Sequence, residues 1–260
     1  MQLPAKRLQR AAPKRRETDL SVDEPAISQP DPEIVEYYSK KIFEYNFSSM
    51  CKMSVPMALE GQRVLDIGCR RGKGVFKLSS RVGNTGHVIG IDWSDDFIAE
   101  AWQRSERAWR ESRLLHNNME FHVAYPEDLA RIGIADDSLD LVFVNSVINL
   151  AYDYDRAFAE MFRVLKPGGL LICETVLSNA ERDETVMSAA REIGNNVQSA
   201  PSKRYFEELL AHLGFGAPDY LDATMVAKDA GFKHTYSAPV VETDEEALFV
   251  AAVAYIRKPD

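Results

Sequence analysis

A charge stands where a buried strand has no use for one. Val64, Leu65 and Ile67 form a short apolar run with Asp66 inside it. A plain buried strand does not accommodate a carboxylate cheaply. Gly68, Gly72 and Gly74 follow, and a helical pattern then runs from Val75 to Val82. Strand, glycine turn and helix start bring free backbone N–H groups to one place, so the stretch predicts a site for an anionic or polar ligand.

The spacing excludes two nucleotide motifs. A dinucleotide fingerprint needs G-x-G-x-x-G, and here Gly68 and Gly72 are separated by three residues. A phosphate-binding P-loop needs four residues between its glycines and Lys-Ser/Thr after them, whereas Lys73 precedes Gly74. The stretch instead resembles the first motif of class I S-adenosylmethionine-dependent methyltransferases, V-L-D-x-G-x-G-x-G. Asp66, Gly68 and Gly72 fall on that pattern, and Arg70 stands where the family has its middle glycine. A second resemblance is the amphipathic run 153–165, stopped by Lys166-Pro167-Gly168-Gly169 and followed by an apolar strand over 170–176.

These matches cover roughly residues 60 to 177, and they imply a fold and a cofactor. The fold is α/β and doubly wound, a mostly parallel seven-stranded Rossmann-like sheet with an antiparallel last strand. The cofactor is S-adenosyl-L-methionine, held around Asp66, Gly68, Cys69, Arg70 and Gly72. Asp92 ends a second predicted strand, where an acid can accept two hydrogen bonds from a ribose diol; taken alone it also fits a surface turn. The resemblance further implies that Trp93 stacks on adenine and that Glu127 reads its amino group. Asp128 is a candidate cap for a short helix after it. Asn145 ends the fourth strand, where open parallel sheets bind ligands. Trp102 and Trp109 are read as core.

Val144-Asn-Ser-Val-Ile-Asn-Leu150 narrows the resemblance to the arsenite methyltransferase-like, methyltransferase type 11 branch. That branch carries a cysteine where Ser146 stands, and another near Asn195 or Asn196. The three cysteines here are Cys51, Cys69 and Cys173. Only Cys51 is placed for a substrate, and one thiol does not make a three-coordinate thiolate site. A small organic acceptor is therefore expected, with Tyr37, Tyr38 and Asn149 as candidate contacts. Arsenite methylation and a non-catalytic cofactor-binding or partner protein of the same fold are the alternatives. His122, Tyr152, His234 and Tyr236 are available as proton acceptors, and none is singled out as a catalytic base.

The remaining organisation follows from composition. Residues 1–30 read as a basic disordered tail and 31–260 as the methyltransferase domain. Within it, 31–59 is an N-terminal helical cap, 60–177 the cofactor-binding core and 178–260 a pair of helices followed by a strand pair. A formal net charge of −9 argues against nucleic acid as a general partner. No apolar run reaches the ~18 residues of a membrane span. Widely spaced cysteines without C-x-x-C predict neither disulfides nor a metal site, and a reducing, cytoplasmic compartment. Oligomeric state is left open.

Overall fold

The computed structural model describes residues 29–40, 54–230, 237–241 and 247–260. Residues 1–28 of the basic tail, and Cys51, Phe43, Phe47, His234 and Tyr236, lie outside the described residues.

Helix α1 (Pro32–Ser39) is opened by Asp31, whose carboxylate accepts from the Glu33 N–H, with proline in the first turn. Strand β1 (Arg63–Ile67) leads through the glycine turn into α2 (Lys73–Val82). Then come β2 (His87–Asp92), α3 (Asp95–Glu111), β3 (Met119–Val123) and β4 (Leu139–Asn145). Helix α4 (Tyr154–Val164) runs directly into β5 (Leu165–Ser178). After it follow α5 (Glu184–Glu192), α6 (Lys203–Leu213), β6 (Asp219–Val226) and β7 (Phe249–Arg257).

The strands form one seven-stranded sheet in the order β3-β2-β1-β4-β5-β7-β6. Strands β1 to β5 pair in parallel, and β7 is antiparallel to both β5 and β6. The expected doubly wound sheet with an antiparallel last strand is therefore present. Side-chain alternation sorts the strands' residues onto two faces. Leu65, Ile67, Ile89, Val142, Val144 and Leu171 pack with Phe158 and Met161 of α4 and Phe206 of α6. Val64, Val88, Leu141, Phe143 and Ile172 pack on the opposite face with Val75 and Leu78 of α2 and Ile98 of α3. Asp66 belongs to the second face, so its carboxylate is directed at α2. The order of strands reverses between β1 and β4, and in open parallel sheets ligands bind outside the strand ends at that switch point.

Four local expectations need correction. The helical reading of 31–59 fails over its last residues: 54–59 carry no helix, because Pro56 disfavours helical backbone before it. Trp102 is not core but 44% exposed; its ring edge rests on Phe121 while its indole N–H donates to the Phe121 carbonyl at 3.2 Å. Asp128 caps nothing. The short 3-10 turn Ala130–Ile132 has no side-chain cap, and Asp128 lies 3.9 Å from Arg131 instead. The Lys166-Pro167-Gly168-Gly169 break is part of β5, made possible by a left-handed Gly168 (φ 73°) whose N–H reaches the Lys258 carbonyl at 2.9 Å.

Candidate cofactor site at the glycine turn

The glycine turn is tied down by the end of β2. The N–H groups of Gly68 and Cys69 both donate to the Ile91 carbonyl at 2.9 Å, and the Arg70 N–H donates to Asp92 Oδ2 at 2.9 Å. The other Asp92 oxygen accepts from the Ser94 N–H at 3.0 Å. Most of the turn's own donors are thus used within the protein rather than left open. Those at the start of α2 are different: Gly72 precedes the helix and supplies no side-chain cap.

Each glycine is required for its own reason. Gly68 is left-handed (φ 75°), and a Cβ there would come within 2.7 Å of Val147 Cγ1. Gly72 is also left-handed, and its Cβ would meet the Phe76 ring at 2.8 Å. A Cβ at Gly74 would collide with Asp66 Oδ2, so the Asp66 carboxylate lies against the first turn of α2. The partial positive charge of a helix start favours an anion in that place.

Arg70 adopts the backbone that explains the family's glycine: its φ is 48°, left-handed and costly for a residue with a Cβ. Its guanidinium does not enter the turn. It lies over the Phe97 ring, 5.2 Å from the centroid, beside Arg71 at 4.4 Å. Replacing Arg70 with glycine removes a left-handed penalty of about 1–2 kcal/mol. It also removes a cation–π contact of about 0.5–1 kcal/mol. Arg70→Gly is therefore expected to raise stability slightly in urea titrations and to leave cofactor affinity unchanged by calorimetry. A large loss of affinity would place the guanidinium on the ligand.

The site's electrostatics are those of stacked buried acids. Asp66 is 4% exposed and Asp92 1%. Burial, with Asp92 and Glu174 nearby, pushes the Asp66 carboxyl up to about 8. Burial pushes Asp92 up to about 6 against the pull of its backbone N–H donors. Among the described residues no lysine or arginine forms an ion pair with either. Glu174, within β5 beside Asn145 of β4, is 2% exposed and accepts from the Ser54 N–H at 2.9 Å. The sequence reading passed over Glu174, although it carries the same signal as Asp66: a charge inside the apolar run Leu170 to Val176.

The remaining expected residues fall into two groups. Trp93 and Glu127 come together with Tyr38. The Tyr38 ring stacks on Trp93 (5.0 Å, 26°) and on Tyr125 (5.0 Å, 22°), and its hydroxyl donates to Glu127 Oε1 at 2.9 Å. Glu127, 1% exposed, also accepts from the Asp153 N–H at 3.2 Å, while its Oε2 has no partner among the described residues. Tyr37 turns the other way, and its hydroxyl donates to the Leu150 carbonyl at 2.9 Å.

The second group lies beyond β4. Asn145 accepts from the Ser146 hydroxyl at 2.8 Å. Ser146 is left-handed (φ 57°), and its carbonyl accepts from the Asn196 amide at 2.6 Å. Asn149 is spent as a brace. Its amide donates to the Val176 and Asn196 carbonyls at 2.9 and 3.1 Å and accepts from the Thr175 hydroxyl at 3.1 Å. Cys69 and Cys173 are free thiols buried in the two faces of the core, and burial holds both well above the ordinary thiol value. No cluster of metal ligands occurs among the described residues. Of the candidate bases, His122 is bound to Glu120 at 2.5 Å and Tyr152 donates to Glu33 at 2.7 Å.

Comparison with known proteins agrees with this geometry. A family model described as a methyltransferase domain matches residues 59–214. An arsenite methyltransferase of Aquipseudomonas alcaligenes is 31% identical over 195 residues, 75% of this chain and 53% of that protein. The arsenite methyltransferase of Mus musculus is 36% identical over 138 residues, 53% of this chain and 37% of that protein. The crystal structure of an arsenic (III) S-adenosylmethionine methyltransferase from Chlamydomonas reinhardtii superposes with a TM-score of 0.70 at 28% identity. That match covers 92% of this chain and 71% of that one. The chain spans about half the length, or less, of the curated relatives it matches. No helix among the described residues is long and apolar enough to cross a membrane. A motif turn built on Asp66, a sheet of the matching order and the family match over 59–214 together show that this chain belongs to the class I, S-adenosylmethionine-dependent methyltransferase domains.

Proposed function

We propose that this chain transfers a methyl group to a small organic molecule. The observation that carries the reading is the pair of buried acids, Asp66 and Asp92, neither of which is closed off by an ion pair among the described residues. Such a place costs stability unless a cation enters it. S-adenosylmethionine carries a sulfonium and an ammonium, so the acids fit it. When bound, it supplies a methyl group activated for in-line displacement.

The chain's own residues supply position. Asp92 accepts from the ribose hydroxyls while its backbone bonds hold the turn in register. Asp66, braced by the start of α2, faces the methionine end. Trp93 and Glu127 hold the base, the ring by stacking and the amino group by its proton. Asn145 marks the end of β4 next to the turn. Alignment and exclusion of water account for most of the acceleration in such a transfer. No proton acceptor is assigned.

Arsenite is the second reading, and similarity to arsenite methyltransferases favours it. The described residues support an organic acceptor instead. Ser146 and Asn196, which stand at or near thiol positions of that branch, are joined by a hydrogen bond. Both described thiols are buried and neutral, whereas trivalent arsenic needs thiolates. The test is one assay with two arms, labelled cofactor against a panel of organic acceptors and against arsenite with glutathione. Transfer to an organic acceptor without methylated arsenic is expected. Arsenic turnover on the order of 1 per second, within the ordinary enzyme range, reverses the assignment.

A further inference from the structure

Helix α1 places a flat aromatic ring where the cofactor's base belongs. Three contacts define that place: the face of Trp93, the residue after the ribose acid; the face of Tyr125; and the buried carboxylate of Glu127. Tyr38 makes all three at once. It stacks on both rings and gives Glu127 a proton donor, as the amino group of a purine would. It is itself only 4% exposed, so nothing else shares the slot with it. The match is incomplete in one respect, because Glu127 Oε2 stays buried with no partner among the described residues. A buried acceptor left unsatisfied is costly and is ordinarily completed by some donor.

We propose that Tyr38 is a built-in occupant of the adenine slot and that α1 is a gate which must withdraw before the cofactor seats. The proposal rests on the cofactor reading above. The way α1 is attached suits a gate. Ile34 and Tyr38 pack with Tyr125, Val35, Tyr37 and Trp93 in a small cluster of their own, separate from the two faces of the sheet. The helix has eight residues. Among the described residues its other ties include Tyr37 to the Leu150 carbonyl, the Tyr152 N–H to the Tyr38 hydroxyl at 3.4 Å, Tyr152 to Glu33, and Asp31 to Arg156 at 3.6 Å. A unit with its own small core can open without unpacking the sheet. The chain then chooses between its own ring and the ligand's, and apparent affinity falls by the fraction of molecules in which the slot is open.

The test uses the full chain and S-adenosylhomocysteine as probe. Calorimetry and stopped-flow Trp fluorescence compare the wild type with Tyr38→Ala and Tyr38→Phe. Tyr38→Ala is expected to bind faster and about tenfold tighter, as it would if the slot were open in roughly one molecule in ten. Tyr38→Phe, which keeps the ring and loses the Glu127 bond, falls between. Hydrogen exchange on the wild type gives an independent reading that does not depend on a variant folding: amides of α1 should exchange faster with saturating probe. Weaker binding by Tyr38→Ala, or slower exchange in α1 on binding, overturns the gate and makes Tyr38 a wall of the bound site. Absence of binding in every variant overturns the cofactor reading, and the gate with it.

Discussion

Asp66→Asn is expected to make the unliganded protein melt higher at pH 8 while binding S-adenosylmethionine at least tenfold more weakly. The two effects share one cause. A carboxyl raised to about 8 has its charged form disfavoured in the folded state. The unfolded chain ionises this group from its ordinary value near 4 upward, whereas the folded protein keeps the proton until about 8. Between those values the folded state binds more protons, so stability falls as pH rises and the full penalty is present above 8. The cost of the ionised form is roughly 5 kcal/mol. An asparagine of the same shape does not ionise, so unliganded melting at pH 8 should rise by on the order of 10–20 °C, and the decline with pH should flatten. Affinity falls because a cationic ligand loses a charged partner, worth about 1.5–3 kcal/mol where it is hydrogen-bonded. Melting curves at pH 5 and 8, with and without cofactor, check both halves. Identical pH profiles and undiminished affinity would remove Asp66 from the site.

Asp92→Ala should cost affinity without the compensating gain. This acid holds the ribose hydroxyls in the proposed complex and already holds the N–H groups of Arg70 and Ser94. Its loss removes charge-assisted bonds of about 1.5–3 kcal/mol each, so binding by calorimetry should weaken by roughly tenfold to a hundredfold. The wild type carries a second signature. With its carboxyl at about 6, Asp92 becomes a full acceptor as pH rises through that value, so affinity should climb between pH 5 and 7. In the alanine variant that step should be missing. A folded Asp92→Ala protein with wild-type affinity would show that the ribose lies elsewhere.

The sheet was legible because each strand announces itself by a short apolar run with a defined stop. The second strand ends at Asp92 and the fourth at Asn145, as the sequence predicts. Gly214, left-handed at φ 96°, ends α6 in the way a glycine past a helix end commonly does. The site was legible where one residue type at one strand end has few other uses, as with Asp66 and Asp92. It was less so where a side chain's role depends on its neighbours. Asn149 looked like a substrate contact until Thr175, Val176 and Asn196 were seen to consume its amide. Tyr38 was expected to face the substrate. Nothing local to its helix predicts Trp93 and Tyr125 as neighbours, because those contacts are set by the docking of α1. Glu174 was overlooked for want of a motif, although its charge inside an apolar run was the same signal that made Asp66 visible.

The place of β7 has a consequence for synthesis of the chain. Strand β5 finds its second neighbour only when Phe249–Arg257 has been made, since β7 is inserted between β5 and β6. At roughly 5–20 residues per second, the stretch between Ser178 and Phe249 takes several seconds to emerge. For that time β5 offers an open edge of apolar, strand-forming sequence, the kind that pairs with other chains. Glu174 interrupts the edge with a charge at its centre, between Cys173 and Thr175. A charge inside an apolar strand opposes pairing with other chains, so the residue that helps make the finished site acidic also breaks the apolar run while that edge is open.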